Sequence, residues 1–346
     1  MKSTVGGRMS LKVLAAVLFA VALALGGCRK ESSSGGGGAA GGGGGQSSGG
    51  GGQSGGKKVI GFSQMEMDGP WRIAETESIK GEAAKRPDRY DLRVTVAQGD
   101  TAKQAANVED LVAQRVDAIF LAPREKVGFE QSLETAKAAG IPVILVDREA
   151  NGTAGQDFVT VLKSDFVKQG QRAAEWLARA ANGKANIVEL RGTSGASVTD
   201  DRGNGFRQEL AKHPEMKIIH EQTGDFNRAK ARDVMQNIIQ ARGREITAVY
   251  AHNDEMALGA IQALEAAGMK PGTDVLIISV DGQKSALQAI LDGKMNVTIE
   301  SNPRFGPLAF ATLEKFWAGE KLPPIVGIED RLFDKTNAAQ FLNEAY

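Results

Sequence analysis

From Lys57 onward the sequence alternates short runs of Val, Ile, Leu and Ala with longer stretches of mixed polarity, and this alternation limits the possible folds more than any other feature. The apolar runs are Val59–Phe62, Leu92–Ala97, Ala118–Leu121, Val143–Val146, Val159–Leu162, Ile187–Leu190, Ile218–Glu221, Ala248–Ala251, Val275–Val280 and Val297–Glu300. Most are continuous rather than every-other-residue, as in strands covered on both faces. Helical stretches with start signals lie between them: Thr101 opens Thr101–Gln114, Ser164 opens Asp165–Ala181, Asn227 opens Arg228–Ala241, and Asp254 opens Glu255–Ala267, which Gly268 closes. Strand–helix alternation of this kind predicts a mostly parallel, doubly wound α/β architecture. Ten strands are too many for one small sheet, and the roughly 290 residues after the low-complexity start suffice for two domains. The prediction is therefore two such lobes, with a break near Leu162–Ser164.

The residues before Lys57 are of another kind. Lys2, Arg8 and Lys12 form a positive segment, and Val13 to Leu25 is an unbroken apolar run. That run is shorter than the ~20 residues of a membrane span and suits the hydrophobic core of a signal peptide. It ends in Leu25-Gly26-Gly27-Cys28, which resembles the lipobox of bacterial lipoproteins, where the cysteine is acylated. Residues 1–27 are thus expected to be removed and Cys28 to carry a lipid; the alternative is an ordinary secretory signal with an incidental cysteine. Cys28 is the one cysteine of the chain, so the mature protein has neither a disulfide nor a thiol catalyst. Residues 28–56 are mostly Gly and Ser, and a 25-residue segment of this composition is a disordered tether with a root-mean-square reach of roughly 25–30 Å. Gly51 to Lys57 fits G-x-x-x-x-G-K, but Lys58 follows in place of Ser or Thr and the stretch precedes a strand, so it is no phosphate loop.

In open α/β sheets, ligands bind beyond the carboxyl ends of the strands. Here those ends carry Ser63-Gln64 and Gly69-Pro70-Trp71-Arg72, Asp147-Arg148, Arg191 to Gly195 with Asp201-Arg202, Asp225-Phe226-Asn227, His252-Asn253-Asp254, Asp281-Gly282, and Glu300 with Ser301-Asn302. Carboxylates, guanidinium forks and a carboxamide supply the paired donors and acceptors that vicinal hydroxyls need. Trp71 or Phe226 could pack on the apolar face of a sugar ring. Each residue also has a plainer reading: Asn253 and Asp254 as helix N-caps, Asp147-Arg148 as a structural ion pair, Trp71 as core, Asp281 as a turn residue. Convergence of all of them on one topological edge favours a binding site.

Taken in order, Gly61-Phe62-Ser63-Gln64, Gly69 to Thr76, Leu145 to Arg148, Gly192 to Arg202, Gly224-Asp225-Phe226, Tyr250 to Met256 and Asp281-Gly282 resemble the periplasmic sugar-binding proteins of the ribose/galactose type that feed ABC importers, the galactofuranose binders among them above all. The resemblance covers Lys57 to Tyr346. It implies a type I periplasmic binding protein fold of two Rossmann-like lobes joined by three crossings. Lobe one would be 57–162 plus 301–324, and lobe two 163–300 plus 325–346. It implies ring stacking at Trp71 and ligand contacts from Arg72, Asp147, Arg148, Arg202, Phe226, Asn253 and Asp281, with weaker candidates at Gln64, Asp254, Glu300 and Ser301. The partners it implies are a monosaccharide and the permease and ATPase subunits of an importer, met by a monomer held at the membrane by its lipid.

Other functions find less support. The 42 basic and 42 acidic side chains balance, which gives no electrostatic reason to expect nucleic acid. A repressor of this architecture would need a helix-turn-helix where the tether stands. Asp147, Asp254, Asp281 and Glu300 could furnish a glycosidase pair, but most sit beside an arginine or a hydrogen-bonding group. His213, His220 and His252 are dispersed and suggest no metal site, and nothing calls for a cofactor. Presentation of the bound sugar to a receptor or sensor remains a further possible role.

Overall fold

The computed structural model describes residues 56–346. The expected signal peptide, tether and acylated Cys28 lie outside the described residues. Two six-stranded sheets form the frame.

The first sheet runs β2 (Tyr90–Val96), β1 (Lys58–Gln64), β3 (Ala118–Ala122), β4 (Val143–Val146), β5 (Val161–Ser164) and β11 (Ile325–Ile328), every pair parallel. The second runs β7 (Glu215–Thr223), β6 (Lys184–Arg191), β8 (Ala248–Ala251), β9 (Leu276–Asp281), β10 (Val297–Glu300) and β12 (Leu332–Asp334), with only β12 antiparallel. In both, the first strand in sequence sits inside the sheet and the second at its edge, so the two halves share one winding. The doubly wound α/β expectation holds.

Crossover helices cover both faces of each sheet. For the first they are α1 (Pro70–Ala84), α2 (Thr101–Ala113), α3 (Glu130–Ala138) and α9 (Gly306–Trp317); for the second, α4 (Phe166–Ala180), α5 (Ser197–Leu210), α6 (Arg228–Arg242), α7 (Asp254–Ala266) and α8 (Lys284–Leu291). A short α10 (Ala338–Phe341) follows β12. Each sheet has an apolar layer on either side, built on Ile60, Phe120, Phe310 and Leu121, Phe129, Leu133 in one, and on Tyr250, Ile278, Phe206 and Val249, Met256, Leu264 in the other.

The caps of three helices differ from those expected by one residue. Helix α2 begins at Thr101 as expected, but Asp100 caps it by accepting from Lys103 N; α7 begins one residue early, with Asn253 accepting from Met256 N; and α4 begins one residue late, with Asp165 rather than Ser164 accepting from Lys168 N. Asn227 caps α6 as expected.

The chain passes between the sheets three times: after Ser164, between Glu300 and Gly306, and between Ile328 and Leu332. The strands β11 and β12 at the last passage were not expected. Ile325-Val326-Gly327-Ile328 follows two prolines and Leu332-Phe333-Asp334 has three residues, too short to stand out as periodic runs. Because β11 pairs with β5, residues up to 328 lie in the first sheet, beyond the expected limit at 324.

Helices α4 and α5 meet backbone to backbone. A Cβ on Gly205 would lie 1.9 Å from Val167 O, and one on Gly170 would lie 2.1 Å from Arg202 O. This contact sets the height of Arg202 above the second sheet. Gly205→Ala should cost about 1–3 kcal/mol or more, since the added methyl meets backbone that cannot step aside. Gly81→Ala, on an open face of α1 with nothing within 4 Å, should add about 0.5–1 kcal/mol. Urea unfolding of the two variants beside the parent checks both signs.

Candidate functional site

The carboxyl ends of the two sheets border one cleft of about 570 Å³. Its first wall comes from the β1–α1 segment and the end of β4, its second from α5, the β7–α6 turn and the ends of β8 and β9.

On the first wall, Arg72 stands on the first turn of α1 and is almost wholly buried. Its Nη2 donates to Asp147 Oδ2 at 2.6 Å and its Nη1 to Glu75 Oε2 at 2.8 Å. Behind it, Gln64 Nε2 donates to Glu75 Oε2 at 2.8 Å. Trp71 beside it donates Nε1–H to Ser301 O at 2.7 Å, and its ring carries the Arg72 guanidinium 4.4 Å from its centroid. Arg148 donates Nη1–H to Arg124 O at 2.8 Å, while its Nε is buried without a hydrogen-bond partner, 3.5 Å from Asp147 Oδ2.

On the second wall, Arg202 donates Nε–H to Gln169 Oε1 at 2.9 Å and Nη1–H to the carbonyl of His252, and its Nη2 lies 3.7 Å from Asp281 Oδ1. Phe226 closes the gap: the Arg148 guanidinium stands 5.1 Å from its ring centroid, a contact between the walls. Along one flank the walls also touch through Lys126 N–H to Gly195 O at 3.0 Å, Glu149 N–H to Ser197 Oγ at 3.0 Å and Lys163 Nζ to Asp201 Oδ2 at 3.4 Å.

Burial governs the charges. It pushes the Asp281 carboxyl well above the ordinary range; Arg202 opposes the shift, while Asp254 and Asp147 add to it. Burial, strengthened by the like charge of Arg72, depresses the Arg148 guanidinium. Burial alone would lower Arg72 too, but Asp147, Glu75 and Glu66 more than offset it and hold it above its usual value. Glu75 is raised to about 7, chiefly by burial. A carboxyl starved of donors beside guanidinium groups with a free N–H is suited to a neutral, hydroxyl-rich ligand that supplies both donors and acceptors.

Backbone strain gathers here as well. Among the described residues, seven other than glycine have positive φ, and five of them border this cleft: Gln98 (58°), Asp147 (66°), Asp225 (53°), Phe226 (59°) and Asp281 (133°). Strained backbone persists where the surroundings over-determine it, and it clusters at binding sites. For Phe226 one surrounding element is Gly192, whose missing Cβ would fall 1.9 Å from the ring.

The residues expected from sequence divide. Trp71, Arg72, Asp147, Arg148, Arg202, Phe226, Asn253 and Asp281 all line the cleft. Asn253 is also a cap, with Oδ1 held by Met256 N and Nδ2 donating to Phe226 O at 3.3 Å, so both of its expected readings apply. The weaker candidates do not line it. Asp254 is fully buried beneath, accepting from Thr298 Oγ1 at 2.7 Å, Gly282 N and Gln283 N at 2.8 Å each, and Ser279 Oγ. Those four donors make it the anchor of the β9–α8 turn. Glu300 is taken by Arg331, two guanidinium nitrogens at 2.8 Å each. Ser301 offers its carbonyl to Trp71, and Gln64 sits behind Arg72. Conversely, Glu66, Asp68, Gln98 and Arg124 belong to the wall without having been expected. Gln98 and Arg124 follow the ends of β2 and β3, so the strand-end rule reaches them too. Of the histidines, His252 lies within the second lobe, its Nε2 2.9 Å from Glu189 Oε1, and among the described residues no group of His, Cys, Asp or Glu could hold a metal ion.

The model of the periplasmic binding protein domain matches residues 60–321. The chain belongs to the periplasmic binding protein family. It is 42% identical over 267 residues to the galactofuranose-binding protein YtfQ of Escherichia coli (strain K12), spanning 76% of this chain and 83% of that protein. It is 36% identical over 264 residues to the ribose import binding protein RbsB of Bacillus subtilis (strain 168), again 76% of this chain and 83% of the relative. A crystal structure of a galactofuranose binding protein superposes with a TM-score of 0.81 at 40% identity, covering 83% of this chain and 98% of that one. The binding protein of the arabinose ABC transporter from Shewanella sp. ANA-3, bound to α- and β-L-arabinofuranose, does so with 0.80 at 39% identity, covering 83% and 95%. The type I periplasmic binding protein fold is thereby established, and with it a binder of solutes rather than an enzyme. Among the described residues no helix is long and apolar enough to cross a membrane.

Two outcomes follow for this periplasmic binding protein. Gly192→Ala should push the Phe226 ring out of the gap and weaken ligand binding at least tenfold with little change in unfolding midpoint, measured by calorimetric titration. Burial raises the Glu75 carboxyl from the ordinary glutamate range to about 7, so it favours the native state below the ordinary range and loses that contribution as pH rises through 7. The stability of the parent relative to Glu75→Gln should therefore fall between pH 4.5 and 7 and level off above; a flat difference in denaturant midpoints across that range would contradict it.

Proposed function

We propose that this chain is the extracytoplasmic solute-binding component of an ABC sugar importer and takes a monosaccharide, an aldose of the galactofuranose or galactose kind, between its two walls. One observation carries the reading: each wall bears its own buried guanidinium–carboxylate set, Arg72–Asp147 on one side and Arg202–Asp281 on the other. A sugar bonded to both sets favours the closed arrangement, because a ligand shifts an equilibrium only by its differential contacts. Trp71 and Phe226 offer apolar faces for the C–H side of the ring, and Arg148 Nε and the Asn253 carboxamide offer further donors. The furanose-binding relatives support the ring form. Glu300, whose carboxylate is held by Arg331, is not free for the hinge contact that ribose binders often make with Gln.

Export by residues 1–27, acylation at Cys28 and a tether over 28–56 complete the reading. The protein would work as a monomer, held near a permease by its lipid while the folded part diffuses above the surface.

Thermal unfolding in the presence of a panel of monosaccharides tests the substrate class. Galactose-like and arabinose-like aldoses should raise the melting temperature, since a ligand bound only by the native state stabilises it. Asp147→Ala and Asp281→Ala should each lose roughly 30-fold or more in affinity and remain folded, as removal of a charged hydrogen-bonding partner costs about 2 kcal/mol or more. An amino acid shifting the midpoint where no sugar does would sink the substrate class and leave the fold untouched.

A further inference from the structure

Two of the three passages between the sheets bond one side chain outside the cleft lining, and the first passage joins them through Asp330. Gln169, on the first turn of α4, is 1% exposed. Its Oε1 accepts from Arg202 Nε at 2.9 Å. Its Nε2 donates to Asp330 Oδ2 at 2.7 Å and to Glu300 O at 3.2 Å. The other oxygen of Asp330, Oδ1, accepts from Ser164 Oγ at 3.0 Å. Ser164 ends the first passage's strand, Glu300 begins the second passage, and Asp330 lies in the third. A single carboxamide thus links a cleft arginine to every segment that must rotate when the walls move.

The chemistry suits the place. Arg can only donate and the Asp330 carboxylate accepts, so between them a group that accepts at one end and donates at the other is required. A carboxamide is that group. Its orientation is fixed by its neighbours, since a flipped amide would set N–H against N–H at Arg202 and oxygen against oxygen at Asp330. Asp330 is itself half-buried and raised to about 6 by burial, so it depends on the two donors that Gln169 and Ser164 give it. Further ties hold the third passage: Arg172 Nη1 donates to Asp330 O at 2.7 Å, and Arg331 grips Glu300.

We propose that Gln169 is a positioning residue that couples ligand contact at Arg202 to the geometry of the three-strand hinge, with Asp330 as its hinge-side partner. Arg202 drawn toward a ligand pulls on Gln169 Oε1, and the same carboxamide re-aims Asp330 and the carbonyl of Glu300. The closed hinge in turn holds Arg202 extended toward Asp281. This inference rests on Arg202 contacting the sugar.

The test uses the folded chain and D-galactose, or whichever aldose of the panel raises the melting temperature most. Affinity is measured for the parent, Gln169→Met, Asp330→Ala, Arg202→Lys and the pairwise combinations, and small-angle scattering follows compaction on binding. Gln169→Met keeps the length and removes both kinds of bond. It should weaken binding about tenfold and reduce compaction at saturating sugar, and Asp330→Ala should do the same from the other end. In the Arg202→Lys background, which lacks the Nε–H, Gln169→Met should have little further effect. Full additivity, or parent-like affinity and compaction in both Gln169→Met and Asp330→Ala, would overturn the relay. Unchanged affinity in Arg202→Lys would instead overturn the placing of Arg202 at the ligand. Should Gln169→Met fail to fold, Asp330→Ala and its cycle with Arg202→Lys carry the same expectations.

Discussion

The structure depends on guanidinium groups kept charged while nearly out of water. Isolated burial of such an ion costs several kcal/mol even after relaxation, and only well-placed carboxylates and carbonyls offset it. Arg72, Arg148 and Arg202 are each under a tenth exposed, and each is answered by groups from other elements. Arg72 needs both Asp147 at the end of β4 and Glu75 one turn along its own helix; Arg202 needs Gln169 from α4 and the end of β8. Because these partners come from different strands and helices, the register of both sheets must be right before any of the charges is satisfied. The binding surface is therefore also a check on the fold.

That dependence accounts for the strained turns. Strand ends in a parallel sheet aim their last side chains up or down by the pleat, and a planar fork needs finer aim than the pleat gives. Asp147 and Asp281 follow or end their strands with positive φ, which turns each carboxylate toward the arginine of its own wall. Asp225 and Phe226 take the same region in succession, and the ring comes to rest over Gly192. Such conformations cost of order 1–3 kcal/mol each and survive because rigid parallel strands on either side hold them. Beneath Asp281 the support is Asp254, whose four donors lock the following turn.

Much of this could be read from the sequence, and what could not has a physical cause. The continuous apolar runs gave ten strands of the twelve, because a strand buried on both faces must be apolar throughout. The strand-end rule reached eight cleft residues, since the winding alone brings those ends to one edge. Asp254 was indistinguishable in sequence from Asn253, although one lies under the cleft and the other in its wall. Neighbours on a strand-to-helix turn point in different directions, and which one faces the ligand depends on which becomes the cap. Glu300 and Ser301 were drawn toward the ligand by their place at a strand end, but Arg331, some thirty residues away in sequence, claims the first, and Trp71 turns the backbone of the second into an acceptor. Gln169 gave no local signal: it lies in the first turn of an amphipathic helix and meets Asp330, some 160 residues further along the chain, only once the third passage is in place.

The late strands also explain why the hinge is built as it is. A two-passage connection would let the walls twist as well as open. The return of the chain into the first sheet as β11, beside β5, and then into the second as β12, beside β10, places the third passage against the ends of both outer strands. The three segments then lie side by side, and polar groups from each can share partners, as Ser164, Glu300 and Asp330 do. A closed state that is a few kcal/mol less stable than the open one without ligand is minor but populated, and contacts to both walls are enough to make it dominant. In the proposed reading, the buried charges on each wall supply those contacts.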